Sequence, residues 1–220
     1  MSRILAVETA TRACSAALLW NGECREILRL ERNRHAEILI PMARQLLAEA
    51  GFSFADLDAL AFGSGPGSFT GLRIGISVVQ GLALGIDRPV VPVSSLWALA
   101  ARVNTPLVLA AFDARMEQVY WNLYRQVEGR GMAPIQEPRV DDPASVRLPS
   151  EGDWVGAGSG CDVYGGALSA VQTAKLTLVH GVHPHAENVA RIAESEFSAG
   201  RALDPRDAAP EYVRNQIVQE

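Results

Sequence analysis

At 220 residues, 48% hydrophobic and 20% charged, the chain is long enough for one large domain or two small lobes and can bury a real core, which excludes a disordered protein. Its net charge of −5 counts against a protein that holds DNA or RNA by itself, but the charge is unevenly spread: residues 1–103 carry ten arginines against nine acids, residues 104–220 ten basic against sixteen acidic residues. The longest apolar runs, Leu107 to Phe112 and Ile76 to Leu84, are short or interrupted by Ser77, Gln80 and Gly81, so no membrane span is expected.

Met1-Ser2-Arg3 runs into the short apolar stretch Ile4 to Val7 without the pattern of a signal peptide, and the expected compartment is the cytoplasm. Cys14, Cys24 and Cys161 are odd in number with no CxxC spacing, which argues against a disulfide framework and a zinc ribbon. Arg3 to Glu8 reads as a strand, and Ser15 to Trp20 with Glu23 to Leu30 reads as two more, joined by the hairpin signal Asn21-Gly22. From Arg34 to Ala50 the spacing becomes helical: Leu39, Met42, Leu46 and Ala50 recur every three or four residues, Pro41 sits early, and Gly51 is a stop. Leu57 to Phe62 is a fourth strand, Thr70 to Gly85 a second helix, Pro89 to Val93 a fifth strand, and Ser95 to Val103 a third helix opened by a serine cap.

This is a mixed α/β layer order in which a hairpin meander feeds parallel strands. The pattern then partly restarts: Leu107 to Asp113 and Gln118 to Arg125 form a strand pair, a turn-rich stretch carries Pro134, Pro138, Pro143 and Pro149, Asp153 to Gly156 is a short strand, and His185 to Ala199 is a closing helix. Two lobes are expected, 1–103 and a smaller 104–220, as degenerate versions of one α/β unit, with the last helix and tail packing back on the first.

The segment from Gly63 to Gly75, GSGPGSFTGLRIG, lies between a strand and a helix, where glycines let the chain turn sharply and aim amides outward. It lacks the lysine of GxxxxGK[ST] and the setting of GxGxxG, so a structural turn and a phosphate site both stand as readings. The helix that follows places Gly71 and Gly75, Ser77 and Gly81, and Gly81 and Gly85 four apart, and glycine costs a helix about 1 kcal/mol per position. Close packing compensates, either against the protein's own sheet or against a partner helix, with Leu39, Met42 and Leu46 extending that surface. Glu8-Thr9-Ala10-Thr11 puts a carboxylate and hydroxyls at a strand turn, where a nucleotide site and a plain polar strand end are the alternatives. His180, His183, His185 and Glu187 match no metal motif; His183-Pro184-His185 reads as a helix opening, and His35 as a cap. The basic run Arg25, Arg29, Arg32 and Arg34 is interleaved with Glu23, Glu26 and Glu31 and reads as a solvated, paired face. Gly156 to Gly160 is a faint adenosine-loop candidate.

Ile4 to Thr11 (ILAVETAT), Gly65 to Gly75 (GPGSFTGLRIG), Asp113-Ala114-Arg115 with Val119-Tyr120, and Pro210 to Arg214 (PEYVR) resemble, in that order, the TsaB (YeaZ) family. The resemblance spans nearly the whole chain and implies the two-lobed actin, sugar-kinase and heat-shock-like (ASKHA) fold. It also implies a subunit that acts with TsaD and TsaE to transfer threonylcarbamoyl to the adenosine following the anticodon of tRNAs reading codons that begin with A. The related TsaD pattern VNHxxxH supplies two metal-binding histidines; Ser95 and Leu99 stand at the equivalent positions here, so no catalytic residue and no metal are expected.

The implied partners are TsaD directly, TsaE, and a second copy through the same helix face, with tRNA only indirect and no membrane. The implied interface is Leu39, Met42, Leu46, Gly71, Ile74, Gly75 and Val78, and Gly75→Leu is expected to abolish docking without unfolding the chain. Glu8, Thr9, Gly65, Gly67 and Ser68 are the candidate phosphate contacts. ATP or ADP is expected at the interface within the complex, with no cofactor on the isolated chain. A glycoprotease-type metallopeptidase and an ATP-dependent phosphotransferase are the rival functions.

Overall fold

The first three strands are a meander because Asn21 and Gly22 take left-handed φ values of 50° and 81°, the twist a two-residue hairpin needs. In the computed structural model, which describes residues 2–30 and 34–213, these strands are β1 (Ile4–Glu8), β2 (Cys14–Trp20) and β3 (Glu23–Arg29). Helix α1 (His35–Ala50) ends at Gly51, which is left-handed and returns its N–H to the last turn. Strand β4 (Ala59–Gly65), helix α2 (Phe69–Ile86), strand β5 (Val90–Ser94) and helix α3 (Ser95–Val103) follow. The sheet order is β3-β2-β1-β4-β5, with β4 parallel to both β1 and β5.

Period-two alternation gives β1 two buried faces. Leu5 and Val7 meet α1 and α2 through Leu39, Leu46, Ile76 and Val79, whereas Ile4 and Ala6 face Ala186, Val189, Ala190 and Ala193 of a late helix, α5 (Ala186–Ser198). These residues share one unit, Met1–Ala98 with His185–Glu211. The start of α5 is tied to that sheet: Ser15 Oγ accepts from the Ala186 N–H at 2.9 Å, and Glu26 accepts from the Glu187 N–H at 3.1 Å and meets His185 Nδ1 at 2.7 Å.

Leu99–Pro184, with Tyr212 and Val213, make the other unit. It holds strands β6 (Leu107–Arg115), β7 (Gln118–Val127), β8 (Gly131–Pro134), β9 (Arg139–Asp141), β10 (Asp153–Ala157) and β11 (Lys175–Val179) and helix α4 (Ser159–Ala170). The order is β11-β10-β6-β7-β8, with β9 also on β7. Helix α4 covers one face through Cys161 and Leu168 against Leu109, Ala111, Trp121, Leu123 and Trp154. The fold is thus α/β with two mixed sheets flanked by helices, as the resemblance implies. The division between units falls inside α3, between Ala98 and Leu99.

Two expectations need correction. Helix α2 is a single 18-residue element with mean hydropathy 1.5, long and apolar enough by composition to cross a bilayer, although its separate apolar runs are short. Leu72, Ile76, Val79 and Ala83 bury one side of it, and Arg73, Ser77 and Gly81 are exposed on the other, the pattern of a helix packed on a sheet. His35 does not cap α1: Arg34 holds that position, and the buried His35 ring meets the Thr11 carbonyl at 3.2 Å through Nε2. Glu31, Arg32 and Arg214 lie outside the described residues.

Candidate functional site

The end of β1 and the glycine loop after β4 come together as one joint. Glu8 is buried; its Oε1 accepts from the Ala10 N–H at 2.7 Å and its Oε2 from the Ser95 hydroxyl at 2.8 Å. Burial holds this carboxyl above the usual carboxylate range, against the opposing pull of the Ala10 N–H, the Ser95 hydroxyl, the Thr9 N–H and His185. Gly63, beside it on β4, has no room for a side chain, because a Cβ there would lie on the Glu8 carboxylate. Thr9, also buried, donates its hydroxyl to the Gly71 carbonyl at 2.8 Å. The Ser68 N–H donates to the Ala10 carbonyl at 2.7 Å, and the Ser68 hydroxyl caps α2 by accepting from the Gly71 N–H at 3.2 Å.

The glycines here serve close approach. A Cβ at Gly67 would run into Ala10, one at Gly71 into the Thr9 carbonyl, and one at Gly75 into the Thr9 hydroxyl. Gly65 is left-handed at φ 111° with the Glu211 carbonyl nearby, and the Glu211 N–H donates to the Ser64 carbonyl at 2.8 Å. Three of the sequence segments behind the resemblance therefore meet in this joint. These residues do not fit a nucleotide's phosphates: Glu8 and Thr9 are buried and engaged, and Gly67 rests on Ala10. Gly75→Leu would accordingly strike Thr9 inside the fold and cannot report on docking, contrary to the expectation from sequence.

The surface on the other side of α2 is open. Ala36 of α1 and Phe69, Thr70, Arg73, Ile74, Ser77 and Val78 of α2 line a groove with a cavity of about 480 Å³. Phe69 is 58% exposed, and the Arg73 guanidinium stacks 3.8 Å over its ring. Ile74 and Val78 are half-buried on its floor. Leu39, Met42 and Leu46, which the spacing offers as part of a docking face, instead lie in the core against the sheet, and Gly71 and Gly75 lie beneath the helix. Helical periodicity marks the buried stripe of α1, so those three residues are a correction. The signal for the open stripe was Thr70, Arg73 and Ser77 at steps of three and four, offset from Leu72, Ile76 and Val79.

The remaining candidates disperse. Asp113 sits at the end of β6, where its N–H donates to Ser159 Oγ at 3.1 Å and its carboxylate accepts from the Tyr164 hydroxyl at 3.3 Å and pairs with Arg115 at 3.0 Å. His180 pairs with Asp162 at 3.0 Å and His185 with Glu26 at 2.7 Å. Glu26 of the basic run faces α5. Burial pushes the Cys24 and Cys161 thiols up to about 12, which leaves them as thiols at neutral pH. Leu99 is fully buried.

Residues 29–162 match the family described as TsaD, tRNA N6-adenosine threonylcarbamoyltransferase. The chain is 37% identical to the tRNA threonylcarbamoyladenosine biosynthesis protein TsaB of Escherichia coli strain K12, over 98% of this chain and 96% of that one. It is 33% identical to the protein of the same name from Haemophilus influenzae, over 98% and 94%. The solved structure of YeaZ from Pseudomonas aeruginosa superposes with a TM-score of 0.90 at 40% identity, covering 96% of this chain and all of that one.

Proposed function

The chain belongs to the TsaB (YeaZ) family of tRNA threonylcarbamoyladenosine biosynthesis proteins, and from that premise we propose that it is a noncatalytic subunit that binds and activates TsaD. With TsaE, the assembly transfers threonylcarbamoyl to the adenosine 3′ of the anticodon in tRNAs reading codons that begin with A, in the cytoplasm. The observation that carries this reading is the open apolar groove of Phe69, Ile74 and Val78 beside α1, a surface of the kind that receives another helix. The same face, being self-complementary, also serves a two-fold pair of this chain when TsaD is lacking. The sequestered Glu8 carboxyl and the raised thiols support a role without chemistry of its own, and nucleotide use is assigned to the assembled complex. tRNA is met through the partner.

Light scattering of the purified chain mixed with TsaD tests the reading. A one-to-one complex is expected, and Val78→Asp, which places a carboxylate on the groove floor, should weaken it by about 3 kcal/mol, roughly a hundredfold. No complex from the unaltered chain, or an undiminished one from Val78→Asp, overturns the assignment. Depleting the protein should lower threonylcarbamoyladenosine in tRNA.

A further inference from the structure

We propose that Thr9 is a positioning residue for the docking groove: its hydroxyl fixes how α2 sits on the sheet and so sets the surface offered to TsaD. The inference rests on the reading that the α1–α2 groove is the docking face. Thr9 is 1% exposed and is not among the groove residues, so it acts through α2 alone.

Its side chain engages two successive turns of that helix. The hydroxyl donates to the Gly71 carbonyl at 2.8 Å, and the same oxygen fills the space where a side chain on Gly75 would stand. Gly71 is in turn pressed on the Thr9 backbone carbonyl. Ile74 and Val78, on the groove floor, alternate with these positions along the helix. A helix moves as a rod with a rise of about 1.5 Å per residue, so a shift at 71 and 75 carries 74 and 78 with it.

The apolar contacts of Leu72, Ile76, Val79 and Ala83 bury the inner face but are non-directional and tolerate sliding and rotation. Directional ties come from the β1 turn, through Thr9 and through the Ala10 carbonyl that accepts from Ser68, and from Gln80, which donates to the Pro205 carbonyl at 2.8 Å. Thr9, which in sequence reads as a candidate phosphate contact, thus works as the seat of a helix.

Calorimetric titration of TsaD with full-length variants tests this. Thr9→Val keeps the shape, removes the donor and sets a methyl against the Gly71 carbonyl; it should weaken binding roughly tenfold, the equivalent of one net hydrogen bond. Thr9→Ser restores the donor and should bind within about twofold of the unaltered chain. Val189→Ala, which loosens the same unit from the α5 side, should also stay within about twofold. Should the valine fail to fold, Thr9→Ala removes the hydroxyl without strain and is expected to show the same loss.

Unchanged affinity in Thr9→Val or Thr9→Ala, no rescue by serine, or an equal loss in Val189→Ala overturns the inference. Val78→Asp separates the two claims. If it binds normally, the docking face itself is wrong; if it fails to bind while Thr9→Val binds fully, only the role of Thr9 falls.

Discussion

In the first unit a meander of three antiparallel strands leads to two parallel ones in the order β3-β2-β1-β4-β5, and in the second the order β8-β7-β6-β10-β11 repeats that plan. Both units also press glycines at the start of a helix onto the central strand or the turn after it, Gly67 and Gly71 on Ala10 and Thr9, Gly158 and Gly160 on Ala111. They differ in what joins the meander to the parallel strands. The first unit has the 16-residue α1, and the second has β9 and a 3-10 turn at Pro143–Ser145, in a stretch whose prolines break any helix. Its sheet-covering helix α4 is also kinked, with Tyr164 at φ −115° and ψ 17°. The groove between α1 and α2 lies where the connection is helical. The shared glycine contacts seat a helix in both units, and the groove proposed as the partner surface lies in one of them.

That contrast can be broken most forcefully at the glycines. Gly71→Ala drives a methyl into the Thr9 carbonyl and should cost about 3 kcal/mol in urea unfolding, whereas Gly160→Ala, with looser neighbours and better helix propensity, should cost under about 1 kcal/mol. Equal costs would mean that the two loops are seated alike. Next comes Glu8. Because burial makes the folded state bind its proton more tightly than the unfolded chain, stability should fall as pH rises above 4.5, and Glu8→Gln should flatten that slope; an unchanged slope would show that Glu8 is not enclosed.

The second unit offers a change of opposite sign. Its β6–β7 turn holds Arg115, Met116 and Glu117 at φ values of 62°, 52° and 58°, so Glu117→Gly should raise the melting midpoint by the equivalent of about 1 kcal/mol. The smallest effect is expected at Gly81→Ala on the open side of α2, a gain of about 0.5 kcal/mol or more in the same assay, since nothing crowds that position.

Much of the first unit is legible in sequence because its signals are local. Asn21-Gly22 makes its hairpin, Gly51 ends α1, and α3 begins at Ser95. The second unit hides more. Helix α4 opens on Gly158 and carries Gly165-Gly166, so its propensity is poor and the packing of Cys161 and Leu168 sustains it; β8 and β9 lie in the proline-rich stretch and are held by pairing with β7. At the site, Glu8, Thr9 and the glycine loop stand out in sequence, but their use does not, since a carboxylate next to a glycine strand reads the same whether it faces solvent or is sealed over. Likewise Leu39, Met42 and Leu46 reveal an apolar stripe on α1, and only the neighbouring sheet decides that the stripe points inward.

The first unit is discontinuous, since α5 closes its sheet only after Leu99–Pro184 of the second unit have been made. During synthesis Ile4, Ala6, Ala17, Leu19, Val91 and Val93 have only Ala98 of α3 as a helical neighbour in their cluster until Ala186 to Ala193 leave the ribosome. Helices α1 and α2, on the opposite face, are complete some hundred residues earlier. A nascent chain can thus present the groove proposed for docking on a half-finished sheet, and its final stability arrives last, from the return of a single helix.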